Sequence, residues 1–274
     1  MNTHSELDRI NRTAWMSHDA VREFTTDKTW TDPGEQAAFE WIAPHCSGVP
    51  VLDIGIGAGR TIELMKSMSS DYTGIDYTEK LLDMARERFP GTDLRHMDAR
   101  DMSELPSGHF GLVAFSWNGI DAVDYEGRVR ILNEMYRVLR PGGYVLFSSH
   151  NRDGPGYGEN VWKLLPRLTL NPVKLGWRTL RTLRRLPVAS FNYVRHAKLN
   201  RDFEGYSIMT AAAHNFGIVI VYTTLREQRR QLAEVGFESD VVFGSCEGDR
   251  IPDDAEKSDA WWLHFIAHKP HAVS

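Results

Sequence analysis

The sequence has few cysteines and no long apolar run. Cys46 and Cys246 are the only cysteines among its 274 residues, which is too few for a disulfide framework or a cysteine-rich metal site. The apolar run at residues 218–221 is far shorter than the roughly 20 residues that cross a bilayer. Residues 1–8 lack the apolar stretch of a secretory signal. We therefore expect a cytoplasmic protein without a membrane span.

Acidic residues are missing from one long segment of the chain. Residues 160–201 contain ten lysines and arginines and no aspartate or glutamate, although the whole chain has a net charge of -5. Because this segment differs so much from its surroundings, we predict a separate unit over residues 152–215, an inserted basic cap that selects the substrate. The acidic character of the rest of the chain argues against a nucleic-acid partner.

This insertion is predicted to contain a basic amphipathic helix over residues 171–186. Asn171 can cap the helix, Pro172 suits its first turn, and Pro187 is expected to end it. Its apolar side chains recur at helical spacing and are Val173, Trp177, Leu180 and Leu183. Four interpretations stay open: peripheral contact with an anionic membrane, a pocket wall for an anionic acceptor, docking of an acidic carrier protein, and a cap helix with a solvated cationic surface.

Outside the insertion, short apolar strands alternate with helical patterns. The predicted strands cover residues 51–54, 72–76, 93–97, 110–116, 144–148, 237–243 and 261–267, and the predicted helices cover 60–67, 78–89, 128–139 and 225–235. Strands that are apolar on both faces and separated by helices are typical of an α/β fold with a parallel sheet covered on both sides. We assign residues 46–151 and 216–270 to this core and residues 1–45 to an N-terminal helical segment. Residues 206–210 and 218–223 are expected to pair as a hairpin.

A glycine-rich turn follows the first predicted strand. Asp53 is followed by Gly55, Gly57 and Gly59, and the next helix begins directly behind them. Such a turn lets a ligand approach the backbone closely, and the helix N-terminus favours a negatively charged group. The dinucleotide fingerprint would need a glycine at position 60, which is Arg60. The spacing therefore argues against a dinucleotide and against a nicotinamide-dependent oxidoreductase.

Further residues at the ends of the next strands indicate a nucleoside. Asp76 ends the second strand, where a carboxylate can accept hydrogen bonds from both ribose hydroxyls. Asp98 follows the third strand and can accept from an adenine amino group. Tyr77 and Met97 can enclose the adenine ring between them.

Together these residues resemble the class I S-adenosylmethionine-dependent methyltransferases. The resemblance rests on residues 51–60, 74–77, 97–101, 110–118 and 139–143, and extends to 224–237 and 261–270. It implies a Rossmann-like sheet of seven strands, mostly parallel with the last strand antiparallel, and S-adenosyl-L-methionine as the cofactor. It also implies that the N-terminal segment, which contains Trp15 and Trp30, can fold over the cofactor; packing of Trp15 on the sheet is the alternative.

The resemblance assigns roles to individual residues. Asp53 would order the loop and reach the methionine amino group, while Gly55 and Gly57 would lie against the methionine portion. Asp98 and Ala99 would contact the adenine. Ser116 and Trp117 would lie beside the methionine end and the methyl group.

The residues that follow strands four and five are candidates for acceptor chemistry. His150 comes directly after the fifth strand, and we predict that it acts as a general base or, alternatively, as a hydrogen-bonded loop histidine. Asn118, Asn151 and His214 are predicted to contact the acceptor. Asp121 can line the same pocket or cap a helix. No acidic pair occupies these positions, and we predict that the site has no metal.

We therefore expect methyl transfer to an oxygen or nitrogen of a small or conjugated metabolite, for example a natural product or a saccharide. One alternative is a protein that binds the cofactor without transferring the methyl group, as a regulator or cyclisation catalyst. Another is a membrane-associated enzyme that methylates a lipid or a lipid-linked saccharide. The predicted hairpin offers a homodimer contact or a wall of the acceptor pocket.

Overall fold

The computed structural model describes residues 3–16, 32–166 and 168–271. The strands are β1 (Val51–Ile54), β2 (Tyr72–Asp76), β3 (Asp93–His96), β4 (Phe110–Phe115), β5 (Leu139–His150), β6 (Arg201–Asp202), β7 (Tyr206–Ala211), β8 (Ile218–Thr223), β9 (Glu238–Gly244), β10 (Arg250–Ile251) and β11 (Trp262–His268). The helices are α1 (Thr3–Trp15), α2 (Pro33–Ile42), α3 (Ile62–Met68), α4 (Glu79–Arg88), α5 (Tyr125–Val138), α6 (Pro172–Ala197) and α7 (Leu225–Val235). Short helical turns cover Ala43–His45, Gly119–Ala122, Val161–Leu164 and Ala213–Phe216.

The main sheet has the strand order β10-β9-β11-β5-β4-β1-β2-β3. Strands β1 to β5 pair in parallel, and β11 is antiparallel to both of its neighbours, β5 and β9. The α/β class, the largely parallel sheet and the antiparallel last strand are therefore confirmed. The predicted count of seven strands is wrong by one, because the two-residue β10, which is absent from the predicted strands, pairs with β9.

Helices cover both faces of this sheet, and a separate apolar core lies on each side. One core joins the sheet to α5 and α7 through side chains such as Ile131, Met135 and Leu232. The other joins it to α2, α3 and α4 through side chains such as Phe39 and Met65. Burial of the strands on both faces explains why their sequences are almost continuously apolar.

Local signals in the sequence explain where the helices begin. The side chain of Asp32 accepts a hydrogen bond from the Glu35 amide, and Pro33 occupies the first turn of α2. Thr224 caps α7 by accepting from the Glu227 amide. Gly236 ends this helix with a φ of 106°, a left-handed conformation that favours glycine.

A second sheet of three strands, in the order β6-β7-β8, lies outside the main sheet. The predicted hairpin is confirmed, since β7 pairs antiparallel with β8. Residues 218–223, which the sequence-based boundary assigns to the core, form strand β8 of this small sheet. Asn11 of α1 joins the small sheet to the core: its amide donates to the carbonyl oxygens of Val219 and Ala122, each at 2.7 Å.

Helix α6 continues beyond the proline that was expected to end it. Pro187 lies inside the helix, which runs to Ala197. The second half is held by packing: Ala189 is fully buried, the His196 ring lies 3.0 Å from the Phe216 carbonyl oxygen, and Asn192 donates to the carbonyl oxygen of Asn215. These contacts offset the loss of one helical hydrogen bond at the proline.

Trp30 and Arg167, which entered the predictions for the N-terminal segment and the basic insertion, lie outside the described residues. Over residues 3–16, 32–166 and 168–271, no helix combines the length and the apolar character needed to cross a bilayer.

Candidate active site at the carboxyl ends of the parallel strands

A cleft opens at the carboxyl ends of β1, β2 and β4. This edge of the sheet is the one where α/β folds bind ligands. Eight of the ten predicted cofactor residues line the cleft: Gly55, Gly57, Asp76, Tyr77, Met97, Ala99, Ser116 and Trp117. The two that do not line it are Asp53 and Asp98.

The glycine turn is the floor of this cleft. Gly55 has a φ of +67°, and a Cβ atom at this position would lie 2.5 Å from Cε2 of Phe115. Any other residue at position 55 would therefore be strained by its backbone conformation and by contact with the Phe115 ring. This turn leaves the backbone open to a ligand, as the sequence predicts.

Asp76 links the glycine turn to the end of β2. One carboxylate oxygen accepts from the Gly57 amide at 2.8 Å, and the other accepts from the Thr78 amide at 2.6 Å. Burial raises the pKa of Asp76, and these backbone hydrogen bonds oppose that rise. Each carboxylate oxygen can accept a second hydrogen bond, so Asp76 still has acceptor capacity toward the cleft.

Asp53 lies behind the turn in the interior. Its Oδ2 atom accepts from the Thr61 hydroxyl at 2.6 Å and from the Tyr72 hydroxyl at 3.0 Å. Its Oδ1 atom is buried and has no hydrogen-bond partner in the described part of the chain. Burial raises the pKa of Asp53 to about 6. This carboxyl group therefore orders the turn and keeps one acceptor unused.

The wall next to Tyr77 differs from the sequence-based expectation in one respect. Arg12 of α1 stacks over the Tyr77 ring at 4.4 Å, and Trp15 of the same helix lines the cleft. Asp98 does not line the cleft, because its carboxylate is held by the Arg100 guanidinium at 2.6 Å and by Arg12 at 3.2 Å. The structure thus gives Asp98 an ion-pairing position beside the cleft, and its bond to an adenine amino group stays a prediction.

The opposite wall has an unusual backbone conformation. Trp117 and Asn118 have φ values of 56° and 55°, which non-glycine residues adopt rarely and at a cost in energy. Within the described residues, the buried Ser116 Oγ and Asn118 Oδ1 atoms have no hydrogen-bond partner. Strain and unsatisfied polar atoms at one edge of a cleft indicate a ligand site rather than a packing solution.

A buried ion pair that the sequence reasoning missed supports this wall. The Arg60 guanidinium makes two hydrogen bonds of 2.7 Å to the Glu35 carboxylate and lies 5.1 Å from the centre of the Trp117 ring. Glu35 belongs to α2, so the pair ties this helix to the glycine turn. Sequence reasoning used Arg60 only to exclude a dinucleotide, because nothing in the local pattern connects it to a residue 25 positions earlier.

His150 and Asp121 form a hydrogen-bonded pair at the end of β5. The His150 Nδ1 atom lies 2.7 Å from Oδ2 of Asp121, which also accepts from the His150 backbone amide at 2.6 Å. Gly119 and Ala122, on either side of Asp121, line the cleft. In the described part of the chain, no hydrogen bond is made by the His150 Nε2 atom. The pair therefore adjoins the cleft wall without lining the cleft itself, and one ring nitrogen of His150 is oriented by a carboxylate.

Asp121 is itself fixed by an interior polar network. Its Oδ1 atom accepts from the Arg128 guanidinium and from the Ser149 hydroxyl, and Arg128 also contacts Gln228. Both Asp121 and Arg128 are completely buried. The network explains why Asp121, for which the sequence offered pocket-lining or capping roles, instead positions the His150 ring.

Two of the predicted acceptor residues have other surroundings. Asn151 is fully buried, and its amide donates to the carbonyl oxygens of Ser258 and Ala260. Its position therefore joins β5 to the loop before β11, away from the cleft lining. His214 has a left-handed backbone and lies edge-on to Trp15 with ring centres 5.2 Å apart. His214 thus contacts Trp15, which lines the cleft.

Known proteins resemble this chain in sequence and in fold. Residues 51–143 match a family model described as a methyltransferase domain. The chain is 33% identical over 147 residues to a ubiquinone biosynthesis O-methyltransferase of Aromatoleum aromaticum, covering 49% of this chain and 62% of that protein. It is 30% identical over 182 residues to a phosphatidylethanolamine N-methyltransferase of Cereibacter sphaeroides, covering 64% of this chain and 82% of that protein. The chain belongs to the class I S-adenosylmethionine-dependent methyltransferases.

The methyltransferase also resembles its solved relatives over nearly its whole length. The structure of the 1,6-didemethyltoxoflavin-N1-methyltransferase of Burkholderia thailandensis matches with a TM-score of 0.60 and 14% identity, covering 98% of this chain and 92% of that one. At this identity the likeness supports the fold alone. Two of the curated sequence relatives are matched over only 44% and 62% of their length.

The cofactor of this methyltransferase is S-adenosylmethionine, and the cleft fits such a molecule. The glycine turn admits a ligand at the backbone, and within the described residues Asp53 and Ser116 keep buried oxygen atoms without hydrogen-bond partners. Apolar side chains also line the cleft. Several lining residues had no signal in the sequence beyond being apolar or small: Thr61, Thr78, Leu81, Phe115 and Ala122.

Proposed function

We propose that this methyltransferase transfers the methyl group of S-adenosylmethionine to a hydroxyl group of a small-molecule acceptor, with His150 as the general base. The observation that carries the proposal is the 2.7 Å contact between His150 Nδ1 and Asp121 Oδ2 beside the cleft. A carboxylate at one ring nitrogen orients the histidine and leaves the other nitrogen to accept a proton.

The cleft residues provide a place for each part of the cofactor. Asp76 would accept from the ribose hydroxyls, and Tyr77, Met97 and Ala99 would surround the adenine. The methionine portion would lie along Gly55 and Gly57, where no side chain intervenes. Its ammonium group would face Ser116 Oγ, which lines the cleft, and would reach Asp53 Oδ1 behind the glycine turn through a bridging water. A cation there would offset the cost of keeping the Asp53 carboxylate ionised in the interior.

When bound, the cofactor would supply an electrophilic methyl group that an acceptor lone pair can attack in line, with the carbon–sulfur bond breaking and S-adenosylhomocysteine as the leaving group. The chain holds the acceptor opposite this methyl group, and such positioning supplies much of the rate. His150 Nε2 removes the hydroxyl proton as the acceptor oxygen becomes bonded to carbon. Asp121 stabilises the resulting imidazolium through its hydrogen bond to Nδ1, and the Arg128 network keeps Asp121 in place.

The presence of an oriented base favours a hydroxyl over an amine. A neutral amine can attack before it loses a proton, whereas a hydroxyl becomes a good nucleophile only as the proton leaves. Among the relatives, the Aromatoleum protein is named an O-methyltransferase, which agrees with this choice, and the Cereibacter protein is named an N-methyltransferase. N-methylation is therefore the competing outcome of the test.

Aromatic rings surround the proposed base and suggest the character of the acceptor. The His150 ring lies 5.4 Å from the Tyr222 ring and 6.2 Å from the Trp262 ring, and Tyr157 packs edge-on against Tyr222. The partly exposed Tyr157 and Trp262 rings would bind a flat or apolar acceptor by stacking and burial, and the buried Tyr222 ring would pack behind the base. A cytoplasmic location, an anionic group on the acceptor and a homodimer stay predictions from the sequence.

The test uses the full chain with a deuteromethyl-labelled cofactor and matched acceptors. Phenols and their aniline analogues would be offered separately, and labelled products would be detected by mass spectrometry. We expect label on the phenols and much less on the anilines. Preferential labelling of the anilines would contradict O-methylation. Cofactor binding without any labelled product, from these acceptors or from a cell extract, would favour a binding protein that transfers no methyl group.

A further inference from the structure

The outer face of α6 exposes a continuous apolar surface. Val173 is 79% exposed, Trp177 65% and Phe191 64%. We call the full set of exposed apolar side chains on this helix the α6 outer face: Val173, Trp177, Leu180, Leu183, Val188, Phe191 and Val194. At 100° per residue these positions cluster on one side of the helix, about 140° wide.

The opposite side of α6 attaches the helix to the rest of the protein. Ala189 and His196 are buried, and Arg185 donates to the Asn215 side chain at 2.6 Å. The helix is therefore docked through its inner side, and most of its large apolar side chains point outward. This arrangement is the reverse of an ordinary surface helix, which buries its apolar stripe.

The segment before the helix extends the same apolar surface. Leu168 and Leu170 are essentially fully exposed, and Trp162 is 71% exposed. The Thr182 hydroxyl of α6 donates to the Leu164 carbonyl oxygen at 2.7 Å, which holds this segment against the helix. Contiguous exposed apolar surface of this extent marks an interaction site on a folded protein.

Positive charge surrounds the apolar surface. The stretch 160–201 has ten basic and no acidic residues. In the described part of the chain, Lys174, Arg181 and Arg184 of α6 take part in no ion pair. A surface that combines exposed tryptophan, phenylalanine and leucine with unneutralised cations matches the headgroup region of an anionic bilayer, where apolar groups and negative charges lie within a few ångströms of each other.

We propose that the α6 outer face and the segment before it bind the surface of an anionic lipid bilayer, with α6 lying in the plane of the membrane. A second copy of the chain suits this face less well, because two copies would bring like charges such as those of Lys174, Arg181 and Arg184 together. The proposal does not rest on the chemistry of the cleft, since membrane binding needs neither cofactor nor acceptor.

The experiment is co-sedimentation of the full chain with lipid vesicles. Vesicles of phosphatidylcholine alone would be compared with vesicles that also contain phosphatidylglycerol, at about 0.1 M and about 0.5 M salt. We expect binding to the anionic vesicles and little binding to the neutral ones. Higher salt should weaken but not abolish binding, because the apolar side chains still insert.

Three sets of substitutions separate charge from apolar contact and from general effects. The charge set is Lys174→Gln/Arg181→Gln/Arg184→Gln, the apolar set is Trp177→Ser/Leu180→Ser/Phe191→Ser, and the control set is Arg130→Gln/Arg226→Gln/Lys257→Gln on other elements. One basic residue contributes about fivefold in affinity at an anionic surface, so the charge set should lose about 100-fold. The apolar set should lose at least about tenfold, including at high salt. The control set removes the same charge and should bind nearly as the parent protein does.

Several outcomes would overturn the proposal. The parent protein could fail to bind anionic vesicles, bind neutral vesicles equally well, or lose the same affinity in the control set as in the charge set. The parent protein could also sediment as a dimer in solution, become monomeric with the apolar set and fail to bind vesicles. That result would assign this face to a second copy of the chain. Circular dichroism of each variant shows that a loss of binding is not a loss of folding.

Discussion

The sheet core buries its large apolar side chains, whereas helix α6 exposes side chains of the same kinds. Phe147 of β5 is completely buried and stacks on Phe265, whereas Phe191 of α6 is 64% exposed. Helix α5 buries Ile131 and Met135, while α6 exposes Val173 and Trp177, which have equivalent helical spacing. The difference shows that apolar periodicity predicts a helix but not which side of it faces the protein.

Charge provides the information that periodicity lacks. Helix α5 carries acidic and basic residues together, as a solvated surface does, and its apolar stripe packs on the sheet. All the charged residues of helix α6 are basic. A uniformly cationic helix with an apolar stripe is typical of a surface that meets another charged body, and here that stripe is the exposed one.

The most direct test of this difference in burial is the same substitution, phenylalanine to alanine, made once in each region. Phe147→Ala should lower the free energy of unfolding by about 3–5 kcal/mol, because it opens a cavity in the packed core. Phe191→Ala should change it by no more than about 0.5 kcal/mol, since the ring already contacts water. Urea unfolding of the two variants measures both values.

A result in the other direction would change the interpretation of α6. If Phe191→Ala destabilised the protein by more than about 2 kcal/mol in dilute solution, its ring would be buried in the free protein. The α6 outer face would then be an internal or a subunit contact, and the predicted membrane surface would lose its main support.

The sequence predicts the core well because its signals are local. The glycine turn from Gly55 to Gly59, the strand before it and the acid at position 76 lie within 26 residues of one another. The three glycines of the turn have positive φ values, which few residue types adopt. Helix caps such as Thr224 act within four residues. Every parallel strand of the main sheet was therefore predicted to within a few residues, apart from the start of β5.

The elements that sequence reasoning missed depend on contacts between distant residues. Nothing near Pro187 predicts that α6 continues, because the stabilising partners are Asn215 and Phe216 on another element. The Arg60–Glu35 pair and the Asp121–His150 pair join residues that are 25 and 29 positions apart. The two-residue β10 exists only because β9 provides an edge for it.

Replacing the proposed base tests whether catalysis in the cleft is independent of membrane binding through α6. His150→Gln should lower kcat by about 10²-fold or more, because general-base catalysis contributes that much when proton removal is needed. The affinity for S-adenosylhomocysteine, measured by calorimetry, should stay unchanged, and so should vesicle binding through α6. Steady-state assays with a phenolic acceptor give kcat and KM separately.

His109→Gln is the matched control for this substitution. His109 is exposed at the start of β4, at the opposite edge of the sheet from the cleft, and its loss should leave kcat within about twofold of the parent value. Equal activity of the two variants would remove His150 from the mechanism and favour an acceptor that needs no base, such as an amine.

The smallest expected effects concern the carboxyl group of Asp53, which is buried in the core, whereas the charged groups of α6 are solvated. Burial raises the pKa of Asp53 to about 6, and the hydroxyls of Thr61 and Tyr72 and the Arg60 guanidinium oppose this rise. The protonated form therefore prevails in the folded protein below about pH 6, whereas an unfolded aspartate is ionised down to about pH 4. Because the folded state holds the extra proton between these values, the contribution of Asp53 to stability is greatest below about pH 4 and falls as the pH rises to about 6.

Cofactor binding should depend on pH in the opposite direction. If the ammonium group of S-adenosylhomocysteine pairs with ionised Asp53, the affinity should be about tenfold weaker at about pH 5 than at about pH 7.5, since one pH unit below the pKa leaves roughly a tenth of the carboxyl groups ionised. Asp53→Asn keeps the side-chain shape and should bind more weakly at neutral pH, with most of this pH dependence gone. Calorimetric titration of both proteins at the two pH values measures the difference.

Any pH dependence that remains in Asp53→Asn would point to Asp76, whose pKa burial also raises. An unchanged tenfold dependence would mean that Asp53 only orders the glycine turn, and that the charge recognised at the methionine end of the cofactor is elsewhere in the cleft.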